Sequence, residues 1–391
     1  MHATGLPLRS CVLLGSVTLL LMLPETLPVP VLKGLVVERF GVSATAASWF
    51  MAANLLGALL MAPWIGPLAE RSNRTRLCTA ALLLDALLMQ ALAHPLGFPS
   101  FLLLRVFEGA AHITALTLVM GIVADAAGER RGRALGCVGA GLTLGVALGA
   151  AIGGQIGRSD PLRTLHVASA VLAIAAVGAW TWLPRDVPTA HRPGLREVWA
   201  VVSRERGVRV PLLLAFVDRF TVGFFTTGFP LLLGRVHGVE PPSIGMLLAA
   251  FLLPFALLSW PLGRLAESWS RAALVAGGSL VYGLGVATVG VVPVAAMWWL
   301  MPGLGVASAV MFVPTLLWLL ERAPGIGRTT SIAAFHGAGS LGFLLGTLAC
   351  GMLVRLGADE RGGYVIAFGV AGALEIIGAV LVVSAMRTRR A

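Results

Sequence analysis

The sequence predicts an all-α polytopic membrane protein, with twelve transmembrane helices in two pseudo-symmetric six-helix bundles. Three observations carry that expectation. Hydrophobic residues make up 57% of the 391 positions and charged residues 12%, whereas a soluble globular domain carries about 25% charged. The apolar residues fall in twelve runs, most near the roughly 20 residues a helix needs to cross the hydrocarbon. A pattern of Gly, Glu and Arg recurs at an offset of 197 residues. Helices are the expected spanning form, because backbone amides in lipid must bond within their own segment. The 48 glycines fit the same reading, since small residues let membrane helices approach closely.

The elements follow in order. Residues 1–183 form the first bundle, with spans at 10–32, 44–66, 77–93, 99–124, 134–157 and 164–183. The first apolar stretch begins after Arg9; Pro24 and Glu25 end it without a small-residue cleavage pattern, so it reads as a span rather than a leader. The third run is short and carries Asp85. Residues 184–209 are a polar linker with six arginines, in which 195–203 has the pattern of a short amphipathic surface helix. Residues 210–391 form the second bundle, with spans at 210–234, 243–263, 272–292, 295–320, 330–353 and 364–386.

The net charge of +11 comes from 28 arginines and Lys33. In a soluble protein that excess would point to nucleic acid, but here the arginines cluster between apolar runs. With the N-terminus inside, inside segments hold twenty of the 29 cationic residues and outside segments seven, and Arg105 and Arg219 fall within spans. That bias predicts a cell-membrane protein with both termini cytoplasmic. The four cysteines show no CxxC and no His/Cys cluster, so neither a disulfide framework nor a metal site is expected.

The repeat is specific. Gly66, Glu70 and Arg74 match Gly263, Glu267 and Arg271, and Gly145, Gly149 and Gly154 match Gly342, Gly346 and Gly351, all 197 residues apart. Six spans per half make both halves enter from the same side, so the repeats are parallel.

The loop Gly66-Pro-Leu-Ala-Glu70-Arg71-Ser-Asn73-Arg74-Thr-Arg76 resembles the G-x-x-x-D-R-x-G-R-x-R signature of the major facilitator superfamily, with Glu for Asp and Asn73 for the second Gly. Arg105-x-x-Glu108-Gly109-x-Ala111 is similar to that family's R-x-x-Q-G-x-x-A element. Gly145-x-x-x-Gly149-Ala150-x-x-Gly153-Gly154 resembles the G-x-x-x-G-P-x-x-G-G pattern of its drug:proton antiporters, with Ala150 in place of Pro. The resemblance implies two bundles flanking a cavity that opens alternately to each side. It also implies a cytoplasmic gate in which Glu70 caps the start of span eleven and Arg71 or Arg74 pairs with Asp125, with Gly263, Glu267 and Arg271 as the second-half copy. The glycines of spans five and eleven are expected to let the halves pack closely and slide.

Charges within spans are costly, by roughly 2.5–3.5 kcal/mol each at a helix centre, and mark function. Arg105, Glu108 and His112 share one helical face at i, i+3 and i+7. An acid, a base and a fixed cation on one face can take up and release a proton. Glu25, Asp218, Arg219 and His336 complete the expected substrate or proton pathway. Asp85 reads as a partner for Arg105 or a helix-interface residue, and Glu375 as interfacial or paired. No GxxxxGK[ST] loop is present for ATP, and no HExxH or GxSxG for membrane-embedded hydrolysis. The expected function is alternating-access secondary transport of a small molecule. Proton-coupled efflux leads, with import of a polar nutrient or a non-transporting sensor as alternatives. The expected cofactor list is empty apart from the proton. The expected partners are the bilayer and a small-molecule substrate, with no nucleic acid, and the protein is expected to be monomeric.

Overall fold

The computed structural model describes residues 8–126, 131–184, 206–322 and 328–387. The described residues contain no strand, and twelve helices are long and apolar enough to cross a membrane. The first six are α1 (Leu8–Thr26), α2 (Ala44–Arg71), α3 (Arg74–Leu92), α4 (Phe98–Ala126), α5 (Arg131–Ile156) and α6 (Leu162–Trp182). The second six are α7 (Arg209–Gly223), α8 (Pro241–Ser268), α9 (Arg271–Thr288), α10 (Val294–Arg322), α11 (Arg328–Leu353) and α12 (Glu360–Arg387). Helical turns at Phe224–Gly228, Phe229–Leu231 and Leu232–Val236 prolong α7, two of them π-helical. The short third run forms a full helix, α3. Its Asn73 occupies a loop position where the family signature has Gly, and the Asn73 side chain caps α3 by accepting from the Arg76 amide at 3.0 Å. Ser270, 197 residues on, caps α9 in the same way from the Ala273 amide at 3.4 Å. The amphipathic stretch 195–203 lies outside the described residues.

Contacts divide the chain into two compact units. One comprises Met1–Gly41, Ala53–His191 and Glu240–Ala249; the other comprises Val42–Ala52, Arg192–Val239 and Ala250–Ala391. This departs from a single cut at the linker at two places, the first turns of α2 and of α8. Glycines are the reason. Gly351 lies against Ser48, and Thr45 donates to the Gly351 carbonyl at 2.6 Å. Gly245 meets the Ala150 carbonyl, and Gly154 meets the Pro241 carbonyl.

Within the first unit, α1 packs along α5. A methyl on Gly145, Gly149 or Gly153 would overlap the carbonyls of Leu19, Leu23 and Leu27. Within the second, Gly342 and Gly346 lie against the carbonyls of Phe216 and Phe220 on α7. Both partners of these contacts obey the 197-residue offset, so an interface was duplicated rather than a motif. The expectation that these glycines let the two halves slide is corrected for five of them, whereas Gly154 and Gly351 lie against residues of the other half of the sequence. Gly145, Gly149, Gly153, Gly342 and Gly346 close helix pairs inside each unit, because each faces a helix of its own half. Thr26 ties the same α1–α5 pair, donating to the Val146 carbonyl at 2.7 Å.

Candidate functional site

The first unit buries a charged network contributed by four helices. Its position follows from two glycines. Gly57 on α2 meets the Val106 carbonyl, and Gly109 on α4 meets the Asn54 carbonyl, so these backbones nearly touch. That approach inserts Asn54 between two acids. Its amide donates to Glu25 at 3.2 Å and to Glu108 at 2.9 Å. Arg105 holds the same Glu108 oxygen at 2.5 Å and reaches Glu25 at 3.5 Å. His112, one turn further along α4, lies 3.4 Å from Glu25 and 3.0 Å from Asp85 on α3. Arg105, Glu108 and Asp85 are fully buried, whereas the Glu25 side chain keeps 15% exposure. Glu25 is therefore the network's opening to its surroundings. Glu108 Oε1 and Asp85 Oδ1 have no hydrogen-bond partner among the described residues.

The charges do not balance. With Arg105 and His112 cationic and all three carboxyls ionised, the network carries one negative charge in excess. A single added proton closes the balance. Buried charge is tolerated only when paired. Donor atoms of Glu25, Glu108 and His112 lie within 4.8 Å of one another, which is ligand spacing for a metal ion. The fit is poor, because the Arg105 guanidinium, 2.5 Å from Glu108 and 3.5 Å from Glu25, sets a fixed positive charge beside these atoms and opposes a metal cation.

The second unit presents a different chemistry. Asp218 is buried, and Arg219, beside it on α7, keeps 34% side-chain exposure with Nε 3.9 Å from Asp218 Oδ2. The Arg219 guanidinium lies 4.9 Å over the Phe312 ring. Phe312 in turn contacts Phe255 and Phe335 edge-on, at 5.7 and 5.6 Å between ring centres. His336 is exposed beside Phe335, 5.8 Å between ring centres. The guanidinium stacks on the ring as a cation–π pair, and its planar fork of donors matches a carboxylate.

Of the gate residues, the side chains of Gly66, Glu70, Arg71, Asp125, Gly263 and Glu267 lie outside the described residues. Arg74 is buried at the start of α3, and Arg271 pairs with Glu321 at 2.8 Å. Asp85 lines the interface of α3 and α4, the second of its two expected places, and its partner there is His112 rather than Arg105. Glu375 is 1% exposed and packed against α9. Sequence reasoning missed Asn54, whose only signal was a lone amide inside an apolar run, and Phe312, which nothing marks among sixteen phenylalanines.

The sequence matches the family model of the Major Facilitator Superfamily over residues 14–217. The chain belongs to the major facilitator superfamily, and it is a multi-pass membrane transporter rather than an enzyme. It is 26% identical to the 3-(3-hydroxy-phenyl)propionate transporter of Escherichia coli (strain K12), over 91% of this chain and 89% of that protein. Among solved structures, a mutant form of the nucleoside transporter NupG matches with a TM-score of 0.81 at 12% identity, covering 96% of this chain and 99% of the other. A bacterial homologue of the human lysosomal transporter Spinster, inward-facing and occupied, matches at 0.79 and 16% identity, with 97% of both chains covered.

Proposed function

We propose that this chain is a proton-coupled carrier of small organic carboxylates bearing an aromatic ring, working by alternating access. The observation that carries the coupling is the buried network of Glu25, Asp85, Arg105, Glu108 and His112, one proton short of neutrality. Glu25, partly exposed, admits the proton; Glu108 stores it; Asn54 and Arg105 hold the two acids in register. The substrate class rests on Arg219 over Phe312 and on the name of the curated relative, a transporter of an aromatic propionate. An anion and a proton that bind together travel together, so the expected direction is uptake down an inward proton gradient. Of the α5 glycines that resemble an antiporter pattern, Gly145, Gly149 and Gly153 pack α5 on α1, and that packing serves either direction. The loops that carry Glu70 and Glu267 act as the gate.

The test is uptake of radiolabelled 3-(3-hydroxyphenyl)propionate into proteoliposomes holding the purified chain. An acid exterior is expected to drive accumulation at least tenfold above the level without a gradient. Arg219→Gln is expected to abolish binding and flux. Glu108→Gln is expected to keep substrate exchange and lose gradient-driven accumulation. Accumulation in Glu108→Gln equal to wild type would remove the network from coupling. Failure of any aromatic carboxylate to compete would remove the substrate class.

A further inference from the structure

A second buried acid cluster lies in the other unit, and the network described above does not include it. Asp218 and Thr221 on α7, Tyr282 on α9 and Glu375 on α12 are each at least nine-tenths buried. Asp218 Oδ1, Thr221 Oγ1, the Tyr282 hydroxyl and Glu375 Oε1 all have no hydrogen-bond partner among the described residues. The helices that carry them pack together, α12 against α9 and α7, which sets Tyr282 beside Asp218 and Glu375, and Glu375 beside Asp218 and within weak hydrogen-bonding reach of Thr221. The helices are drawn together by Gly283, where a methyl would sit 2.9 Å from Glu375 Cβ. Four orphaned oxygens from three helices are more than a packing accident, since buried polar groups are paired in the great majority of cases.

We propose that Glu375 is a second proton-binding site, so that each unit of the transporter carries one exchangeable proton. The charged and titratable groups around it are Asp218 and Arg219 on α7, Tyr282 on α9 and, beyond Arg219, His336 on α11. Arg219 is the cation of this set, and its nearest acid is Asp218 at 3.9 Å. Two ionised carboxyls against one guanidinium leave one negative charge buried at membrane depth. Glu375, which has no ion-pair partner among the described residues, is the group that takes the proton, and Asp218 stays ionised beside Arg219. The Thr221 and Tyr282 hydroxyls each carry a donor and lone pairs, so they can bond Glu375 in either state, and the uncompensated charge is what favours the proton. Resting on the carboxylate reading above, the proton on Glu375 sets how strongly the buried acids compete with substrate for Arg219.

The experiment is infrared spectroscopy of the full-length protein in nanodiscs near pH 7, where surface carboxyls are ionised. It needs no substrate. Wild type is expected to show a protonated-carboxyl band, and Glu375→Gln to lower it by about half. Asp218→Asn is expected to keep the intensity and shift the frequency. Carbon-13 glutamate labelling of the Glu108→Gln protein is expected to shift the band that remains, which tests Glu375 without altering it. An undiminished band in folded Glu375→Gln, an unshifted band after labelling, or a band lost when sodium replaces choline overturns the site. Loss confined to Glu108→Gln would sink this site and leave the coupling proposal standing; loss confined to Glu375→Gln would do the reverse.

Discussion

At the scale of single residues, the first unit depends on an amide. Asn54 is the one uncharged side chain in the network, and it donates to two carboxyls that would otherwise face each other. Removing one partner of a buried hydrogen bond costs about 1–3 kcal/mol. Asn54→Ala is therefore expected to lower the melting temperature in detergent by several degrees and to cut uptake at least tenfold, with thermal unfolding and flux as the measurements. Arg105 serves both Glu108 and Glu25 through separate nitrogens, which a lysine's single ammonium cannot reproduce. Arg105→Lys is expected to keep expression and lose most gradient-driven transport, so full transport with lysine would show that charge alone suffices. The spacing of Arg105, Glu108 and His112 was legible, because helical geometry puts i, i+3 and i+7 on one face. The partners Asn54 and Asp85 were not, since each sits on a different helix and nothing local links them.

At the scale of elements, glycines set the distances. Gly145 and Gly149 seat α5 on α1, and Gly342 and Gly346 seat α11 on α7, against backbone carbonyls that cannot move aside. Gly139 and Gly337, on the same two helices, face open space. Overpacking a close contact costs typically 1–3 kcal/mol. Gly145→Val and Gly342→Val are expected to destabilise by that amount and by similar amounts to each other. Gly139→Ala and Gly337→Ala are expected to be silent. A thermal-shift series on the four variants reads this directly. The caps repeat the symmetry: Asn73→Ala and Ser270→Ala should each cost about 1 kcal/mol. The glycine spacing was visible from sequence, but its partner was not. A periodic glycine stripe reports that some helix comes close and does not say which one, so the expectation of a sliding contact between halves gave way to an internal seam.

At the scale of the whole molecule, duplication organises the chain. Motif, glycine seam and helix cap recur at 197 residues, yet the two units differ in chemistry. One buries three carboxyls with a histidine and an arginine; the other buries two carboxyls behind a half-exposed arginine on phenylalanine. A carrier needs the likeness for rocking, and the coupling proposed above would use the difference. The duplicated loops make the gating proposal testable at this scale. Glu70→Gln and Glu267→Gln are each expected to leave expression unchanged and to cut flux severalfold, read in the same proteoliposome assay. Wild-type flux in both would count against a gate at those loops.

The class of the molecule was determined by sequence alone, because the bilayer is a strict solvent. Twelve apolar runs, cationic loops and a recurring motif leave little room for any architecture but paired six-helix bundles. What only the tertiary structure decided is which charges meet. Apart from Arg105–Glu108, the contacts of the network join different helices, and their identity depends on rotation and close approach. Those are set by backbone contacts at glycines such as Gly57, Gly109 and Gly283. Periodicity reports which face of a helix is polar; only packing reports what that face touches.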